Sequence, residues 1–419
     1  MGIALVLGGG APNLTMMSGA VAALHEAGVK FDVVSTSGAG MLIGLLYAAP
    51  RGMTPSEALK NSVNMGVHDA IYDLFPVKYK VFHKPGSMAQ AYTRFWQTAA
   101  AHRGEMDRLT RQWTDSALEA MLPGAALAPY RSMWKQLWGA TPAAGKPNED
   151  AQRFLNDLGA LMLAAFCPSD LSSSSQGLCQ PAPFVDEAVD FSKLKEFDGE
   201  FYLSAYCIED QKMAIFPKDE IDLEHFQAAL AFPLIYSPFK LKGKTYLEGA
   251  AKDTLNFQGL FEYRKDKPHA PIETIVVCDI LGLDELIGEP RSLYDAWVRS
   301  IIVPLVAIAK DDMKLFEELH KPNIPANFNA PEPKLLRVNF KKHMPADHWP
   351  KVMDWSYSNL QILYDVGYRA GEECFAENKQ DLVALGIGSA RADRPMTSPA
   401  TSRTEPTAAP KRAPKRRLA

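Results

Sequence analysis

The first fifty residues alternate between continuous apolar runs and breaks that are rich in glycine. Residues 3–7 are all apolar and lead into three glycines, which predicts a buried parallel strand followed by a turn. Helices are predicted over residues 18–28 and 38–49, on either side of a second strand at residues 32–36. This order of strand, turn, helix, strand and helix is typical of an α/β fold with a parallel sheet.

The pattern changes between about residues 54 and 195, where helical segments containing Met and Trp alternate with breaks. We interpret this stretch as a helical insertion, whose apolar side chains form either an ordinary core or a cap over an acyl-chain pocket. Strands are predicted at residues 200–208, 212–217, 245–247, 273–277 and 335–340, and long amphipathic helices at residues 292–320 and 356–378. Residues 386–419 show no periodicity and are expected to be a disordered basic tail, which leaves one domain over residues 1–385.

Composition and charge exclude several classes of protein. The chain has 419 residues, 47% of them hydrophobic, and a net charge of −4, which does not suit a protein that coats nucleic acid. The charge is uneven along the chain, because residues 391–419 carry a net charge of +6 and the remaining residues a net charge of −10. The basic tail is either a solubilising end or a contact with an anionic membrane. No apolar run reaches the ~18 residues of a spanning helix. The five cysteines form no Cys-x-x-Cys pair, so we expect a cytoplasmic protein without disulfides or a metal site.

Two turns carry the candidate chemistry. Gly8, Gly9 and Gly10 follow the first predicted strand, where exposed backbone N–H groups would suit a phosphate or a developing oxyanion. Ser37 and Gly38 follow the second strand, at a strand-to-helix junction where a serine can act as an exposed nucleophile. Each turn alone is equally consistent with a structural role, a tight turn or a helix N-cap. Together they predict an acyl-transfer site, because adjacent parallel strands end at the same edge of the sheet.

The opening segment, IALVLGGGAPNLTMMSGAVAALHEAGVKFDVVSTSGAGMLIGLLYAAP, resembles the start of patatin-like phospholipases. A second resemblance lies within residues 200–257, where KTYLEGAAKDTLN is similar to the family's short strand followed by an acidic residue, a glycine, and a glycine or alanine. The resemblance implies a patatin-like three-layer α/β fold with a mostly parallel central sheet. It also implies an acyl hydrolase that uses a serine–carboxylate dyad and needs no metal or organic cofactor.

Three positions depart from the family pattern. Pro12 and Asn13 replace an Arg-Gly pair after the glycines, and Ser35 replaces the first glycine of the serine turn. Glu248 stands where the family has the aspartate of the dyad. Glutamate keeps the carboxylate but reaches one methylene further, and an error of about 1 Å in position can cost on the order of 100-fold in rate. We therefore expect Glu248 to be the base, with Asp253 as an alternative base and loss of hydrolysis as the third outcome.

The predicted reaction is hydrolysis of a lipid carboxylic ester. Ser37 attacks the carbonyl carbon, Glu248 accepts its proton and later activates water, and the N–H groups of Gly8, Gly9, Gly10 and Gly38 stabilise the oxyanion. One alternative is a catalytically weak or inactive protein that binds a lipid or a protein partner, and another is an esterase that acts on a different kind of ester. We expect an acyl-ester substrate and no nucleic acid, and the sequence gives no prediction of oligomeric state.

Overall fold

The computed structural model describes residues 2–10, 14–74, 176–179, 185–265, 271–290, 293–320, 332–345 and 354–383, together with residues 150, 153, 154 and 157. Most of the predicted insertion and the whole of the predicted tail at residues 386–419 lie outside the described residues. The described strands are β1 (Gly2–Leu7), β2 (Val33–Thr36), β3 (Gly177–Cys179), β4 (Glu200–Cys207), β5 (Lys212–Pro217), β6 (Leu234–Tyr236), β7 (Phe239–Leu241), β8 (Lys244–Glu248), β9 (Ile272–Cys278) and β10 (Lys334–Arg337).

A mixed sheet of eight strands forms the centre of the fold, in the order β10-β9-β1-β2-β4-β8-β7, with β5 paired to β4. The strands from β10 to β4 are parallel to their neighbours, and β8, β7 and β5 join them antiparallel. The outer strands β3 and β6 pair separately in a second, two-stranded sheet. The apolar run at the start of the chain therefore becomes an inner strand, β1, with a parallel neighbour on each side.

The described helices are α1 (Leu14–Glu26), α2 (Gly40–Ala48), α3 (Pro55–Asn61), α4 (Asp69–Leu74), α5 (Val185–Ala188), α6 (Phe191–Leu194), α7 (Leu223–Ala229), α8 (Gln258–Lys265), α9 (Leu293–Leu315), α10 (Tyr357–Glu377) and α11 (Lys379–Leu382). Alternate residues of β1 pack into two separate cores. Leu5 and Leu7 belong to a large core shared with α1, α2 and α10. Ala4 and Val6 belong to a smaller core with Leu260 of α8. Helices thus cover both faces of the sheet, which confirms the predicted three-layer α/β fold.

Helices α1 and α10 pack very closely because glycines lie at their crossing. A Cβ atom on Gly19 would lie 2.6 Å from the backbone nitrogen of Tyr368, and one on Gly371 would lie 2.6 Å from the carbonyl oxygen of Ala20. Real Cβ atoms do not approach other atoms so closely, so neither position can carry a larger residue at this separation. The close crossing fixes α1 against α10.

The structure differs from the sequence pattern at several element boundaries. Helix α1 begins at Leu14, four residues before the predicted start at Ser18. Ser18 lies inside the helix, and its side chain donates to the carbonyl oxygen of Leu59. Strand β10 ends at Arg337, three residues before the predicted end. Strands β3, β6 and β7 were not predicted, since three residues are too few to establish an alternating pattern.

Candidate active site

Ser37 directly follows β2, at the turn into α2. Its backbone nitrogen donates to the carbonyl oxygen of Leu7 at 3.0 Å, which holds the end of β2 beside the end of β1. The side chain is completely buried. The two turns singled out in the sequence therefore lie next to each other at one edge of the sheet, as the spacing predicts for parallel neighbours.

Gly38 adopts a left-handed backbone conformation, with φ +52°. A Cβ atom at this position would lie 2.5 Å from Oε1 of Glu248 and 2.7 Å from the Cβ of Ala250. Glycine is needed here both for the backbone angle and for the space that the neighbouring carboxylate occupies. The contact also shows how near the Glu248 carboxylate comes to the residue that follows Ser37.

Glu248 ends β8, and its side chain is 8% exposed. Within the described residues the carboxylate accepts no hydrogen bond, and burial alone raises the pKa of Glu248 to about 8. A carboxylate without hydrogen-bond donors in an apolar site favours its protonated form, so it is a stronger base than an ordinary glutamate once ionised. This is the environment that a carboxylate needs in order to take a proton from a serine hydroxyl.

The Ser37 hydroxyl is hydrogen bonded, but not to Glu248. It donates to the backbone carbonyl oxygen of Asp253 at 2.7 Å, and it lies 3.2 Å from the Ser204 hydroxyl, which donates to it. The structure thus places Ser37 and Glu248 close together at the turn after β2, without a hydrogen bond between their side chains. It also brings in Ser204, which the sequence analysis did not single out.

The four predicted oxyanion donors are not equivalent. The N–H of Gly8 donates to the carbonyl oxygen of Cys278, and that of Gly9 to the carbonyl oxygen of Thr254, each at 3.2 Å. In the described part of the chain, the N–H groups of Gly10 and Gly38 donate to no carbonyl. Gly10 has φ +120°, a backbone conformation that favours glycine. The N–H groups of Gly10 and Gly38 are therefore available to a ligand, whereas those of Gly8 and Gly9 hold the turn in place.

Asp253, the alternative base, presents its carbonyl oxygen to Ser37. Burial raises the pKa of the Asp253 carboxyl to about 7, with a second contribution from the nearby negative charge of Asp312. Asp312 itself accepts from the backbone and hydroxyl of Thr254, at 2.7 and 2.8 Å. These bonds fix the segment after β8.

An apolar pocket of about 140 Å³ opens beside this turn. Gly10, Ala39 and Glu248 line one end of it, and Glu248 is the only carboxylate among its described lining residues, which include no Lys, Arg or His. The other walls come from α2, α7, α9 and the segments next to them, and they include Met41, Leu42, Met65, Phe226, Leu230, Ile302 and Leu305. A hydrocarbon chain is the kind of ligand that such a lining favours.

An ion pair between a buried carboxylate and an exposed arginine supports the glycine turn. Asp279, just beyond the end of β9, accepts from the backbone nitrogens of Leu281 and Gly282 at 3.1 and 2.8 Å, and pairs with Arg337 of β10 at 2.5 Å. The side chain of Leu281 lies within 3.5 Å of the place where Cβ atoms on Gly9 and Gly10 would be. The ion pair therefore fixes the loop against which the glycine turn rests.

Comparisons with known proteins identify the family. The sequence profile of patatin-like phospholipases matches residues 5–261, more than half of the chain, so the chain belongs to that family. The family consists mostly of serine hydrolases. The resemblance noted in the sequence is confirmed. A search of curated proteins returned no match.

Among solved structures, the chain is similar to VipD from Legionella pneumophila, at 14% sequence identity and a TM-score of 0.30. The alignment covers 87% of this chain, which spans 66% of the length of VipD. At this level of similarity nothing about activity is transferred from VipD. In the part of the chain that the structure describes, no helix combines the length and the apolar character needed to cross a bilayer.

Proposed function

We propose that this protein hydrolyses carboxylic esters of lipids, with Ser37 as the nucleophile and Glu248 as the general base. The observation that carries the proposal is the position of Glu248. Its carboxylate is buried at the end of an apolar pocket, and Oε1 lies against Gly38, the residue next to Ser37. A nucleophile and an activated base at the end of a hydrocarbon-binding pocket are the parts that ester hydrolysis requires.

The reaction begins with a rotation of the Ser37 side chain. Its hydroxyl leaves the carbonyl oxygen of Asp253 and turns towards the Glu248 carboxylate, whose Oε1 lies against Gly38. Glu248 takes the proton as the serine oxygen bonds to the carbonyl carbon of the ester. The tetrahedral intermediate then collapses, the alcohol leaves with a proton from Glu248, and an acyl group remains on Ser37. In the second half of the cycle Glu248 takes a proton from water as the water oxygen attacks the acyl carbon. The second tetrahedral intermediate then collapses, the carboxylic acid leaves, and Glu248 returns the proton to the Ser37 oxygen.

The developing oxyanion is stabilised by the N–H groups of Gly10 and Gly38. Both are free of backbone acceptors in the described residues, and they belong to the two turns that meet beside Ser37. Gly8 and Gly9 contribute indirectly in this proposal, since their N–H groups hold the first turn against Cys278 and Thr254. Such prealigned donors act on charge that appears only during the reaction, which is how they accelerate it.

The apolar pocket is the binding site for the acyl chain in this proposal. Its described lining contains one carboxylate, the base itself, and no Lys, Arg or His, so it offers no cationic partner for a charged head group. An ester substrate would therefore place its hydrocarbon tail in the pocket and its alcohol on the outside. In this arrangement esters of different alcohols should react at similar rates, and the acyl chain should determine which substrates are preferred.

A second candidate is a protein of this family that binds lipid with little hydrolysis. The observation that favours it is the position of the Ser37 hydroxyl, which is buried and donates to a backbone carbonyl in place of the base. A nucleophile held in this way reacts only when the hydroxyl turns. If this rotation of the side chain costs too much free energy, the pocket would still bind an acyl chain, and the protein would act as a carrier or sensor.

Turnover of a panel of esters separates the two candidates. We would compare p-nitrophenyl esters of acetate, octanoate and palmitate, and phosphatidylcholine in mixed micelles, using the wild type, Ser37→Ala and Glu248→Gln. The proposal expects turnover by the wild type and a loss of 1000-fold or more in each variant, on the order of the effects seen for removed nucleophiles and bases. Binding of a fluorescent fatty acid without turnover would favour the second candidate, and activity that survives Ser37→Ala would exclude the site.

A further inference from the structure

The hydroxyl of Ser204 is a buried polar group that contacts the nucleophile. Ser204 lies on β4, its side chain is completely buried, and its Oγ is 3.2 Å from the Oγ of Ser37. Ser37 uses its own proton in the bond to Asp253. The hydrogen between the two serines must therefore come from Ser204, which donates to the oxygen that attacks the ester.

The position of Ser204 follows from the place of β4 in the sheet. This strand lies between β2, which ends at the nucleophile, and β8, which ends at the base. Leu203 is paired with Thr36, and Ala205 is paired with Glu248. Ser204 is the residue between these two paired positions, so the strand that holds Ser37 and Glu248 at their separation also presents a hydroxyl to Ser37.

The other acceptor near Ser204 is weaker. The carbonyl oxygen of Thr36 is 3.4 Å from Ser204 Oγ, and it already accepts from the side-chain amide of Asn256 at 3.2 Å. A serine hydroxyl has one proton to donate, and the shorter bond is to Ser37. When the Ser37 oxygen becomes more negative, the bond from Ser204 becomes charge-assisted and the preference increases.

The space around Ser204 also depends on a glycine. A Cβ atom on Gly249, the residue after the base, would lie 2.7 Å from Ser204 Oγ. A side chain there would push the hydroxyl away from its place. Glycine after Glu248 therefore leaves room for the Ser204 hydroxyl next to the nucleophile.

We propose that Ser204 is a further catalytic residue, whose hydroxyl follows the Ser37 oxygen when this turns towards Glu248 and donates a hydrogen bond to it whenever that oxygen carries negative charge. This inference rests on the proposed function. In acylation the proton of Ser37 goes to Glu248 and the oxygen lone pair bonds to the carbonyl carbon, while Ser204 keeps its own proton and stabilises the charge on the oxygen. In deacylation the same hydrogen bond stabilises the Ser37 oxygen as it leaves the acyl carbon. The hydroxyl thus acts in both halves of the cycle.

The test compares Ser204→Ala and Ser204→Thr with the wild type. Ser18→Ala is the matched control, because Ser18 is an equally buried serine whose hydroxyl donates to the carbonyl oxygen of Leu59, away from the nucleophile. We would measure the rate of covalent labelling of Ser37 by a fluorophosphonate, and kcat and KM for a p-nitrophenyl ester. Thermal unfolding would show that each variant is folded.

We expect Ser204→Ala to slow both labelling and kcat by about 10- to 100-fold, the loss that removal of a hydrogen bond to a charged group produces. KM should change by less than about twofold, and Ser204→Thr, which keeps the hydroxyl, should recover most of the rate. Ser18→Ala should label as the wild type does. The inference is overturned if the wild type reacts and Ser204→Ala reacts equally fast, or if Ser18→Ala is slowed as much. A wild type that neither labels nor turns over would instead overturn the proposed function.

Discussion

The hydroxyl of Ser37 donates to the carbonyl oxygen of Asp253 at 2.7 Å, and the Glu248 carboxylate lies against the neighbouring Gly38 without a hydrogen bond to Ser37. The resting nucleophile is thus hydrogen bonded to a group other than its proposed base. For serine, the step between these positions is a rotation between staggered conformations of one side-chain torsion. Reactivity in this protein therefore depends on releasing one short hydrogen bond.

This relationship predicts the structure of the covalently modified protein. When a fluorophosphonate has reacted with Ser37, the oxygen carries no proton and cannot donate to Asp253. We expect Ser37 Oγ to have moved towards Gly38 and Glu248, and the phosphonyl oxygen to accept from the N–H groups of Gly10 and Gly38. A crystal structure of the adduct measures both. An adduct that keeps Oγ within hydrogen-bond distance of the Asp253 carbonyl oxygen would contradict the rotation.

Gly38→Ala tests the geometry of the turn. An alanine would have to adopt φ +52°, and its Cβ would lie 2.5 Å from Glu248 Oε1. We expect a loss of stability of about 1–3 kcal/mol from backbone strain and a fall in kcat of more than about tenfold as the carboxylate is displaced. Urea unfolding and ester turnover give the two quantities.

Gly52→Ala is the matched control for this variant, because Gly52 also has a positive φ, +69°, but its Cβ would meet no atom within 4 Å. It should lose stability by strain alone and keep its activity. Equal losses of activity in the two variants would show that the carboxylate contact at Gly38 does not matter.

Met65→Trp tests whether the pocket holds the acyl chain. Met65 lines the pocket and is only partly buried, so a larger side chain can enter the pocket without rebuilding the core. We expect kcat/KM for octanoate esters to fall by about tenfold or more relative to acetate esters, since each lost methylene contact is worth up to about 0.8 kcal/mol. Met53→Trp is the control at an exposed methionine outside the pocket lining. A ratio of rates that is the same in both variants would place the acyl chain elsewhere.

Glu248→Gln should stabilise the fold, and the gain should depend on pH. Burial raises the pKa of Glu248 from 4.5 to about 8. Below pH 4.5 the carboxyl is protonated in both folded and unfolded chains and costs nothing. Between pH 4.5 and about 8 the unfolded chain ionises and the folded chain does not, so the wild type loses stability as the pH rises, on the order of a few kcal/mol by pH 8.

The measurement is the free energy of unfolding in urea at pH 5 and pH 8. The advantage of Glu248→Gln over the wild type should be larger at pH 8. Glu196→Gln, at an exposed glutamate, is the control. If the difference between Glu248→Gln and the wild type does not grow with pH, the Glu248 carboxylate is not held in an apolar environment.

Much of the site could be predicted from local patterns. Residues 3–7 form a buried strand because every side chain is apolar, and the two turns meet because parallel neighbours end at one edge. The Asp253 carbonyl and the Ser204 hydroxyl could not be predicted, because they approach Ser37 through strand pairing across more than 160 residues. The sequence allowed an acyl-chain pocket beneath the insertion but could not give its walls. Met65 is the one described lining residue from that stretch, and the others come mainly from α2, α7, α9 and the segments next to them. The hydrogen bonds that the N–H groups of Gly8 and Gly9 donate depend on the end of β9 and the segment after β8. The sequence therefore could not distinguish these two glycines from Gly10 as oxyanion donors.

The central claim is that Glu248 activates Ser37, and the pH dependence of covalent labelling tests it most directly. The rate at which a fluorophosphonate labels Ser37 should rise with pH through an apparent pKa near 8, because the base works only when it is deprotonated. In Glu248→Gln the rate should be at least about 100-fold lower and should lose this dependence, while labelling stays at Ser37 by mass spectrometry. A variant that labels as fast as the wild type, with the same apparent pKa near 8, would contradict the account.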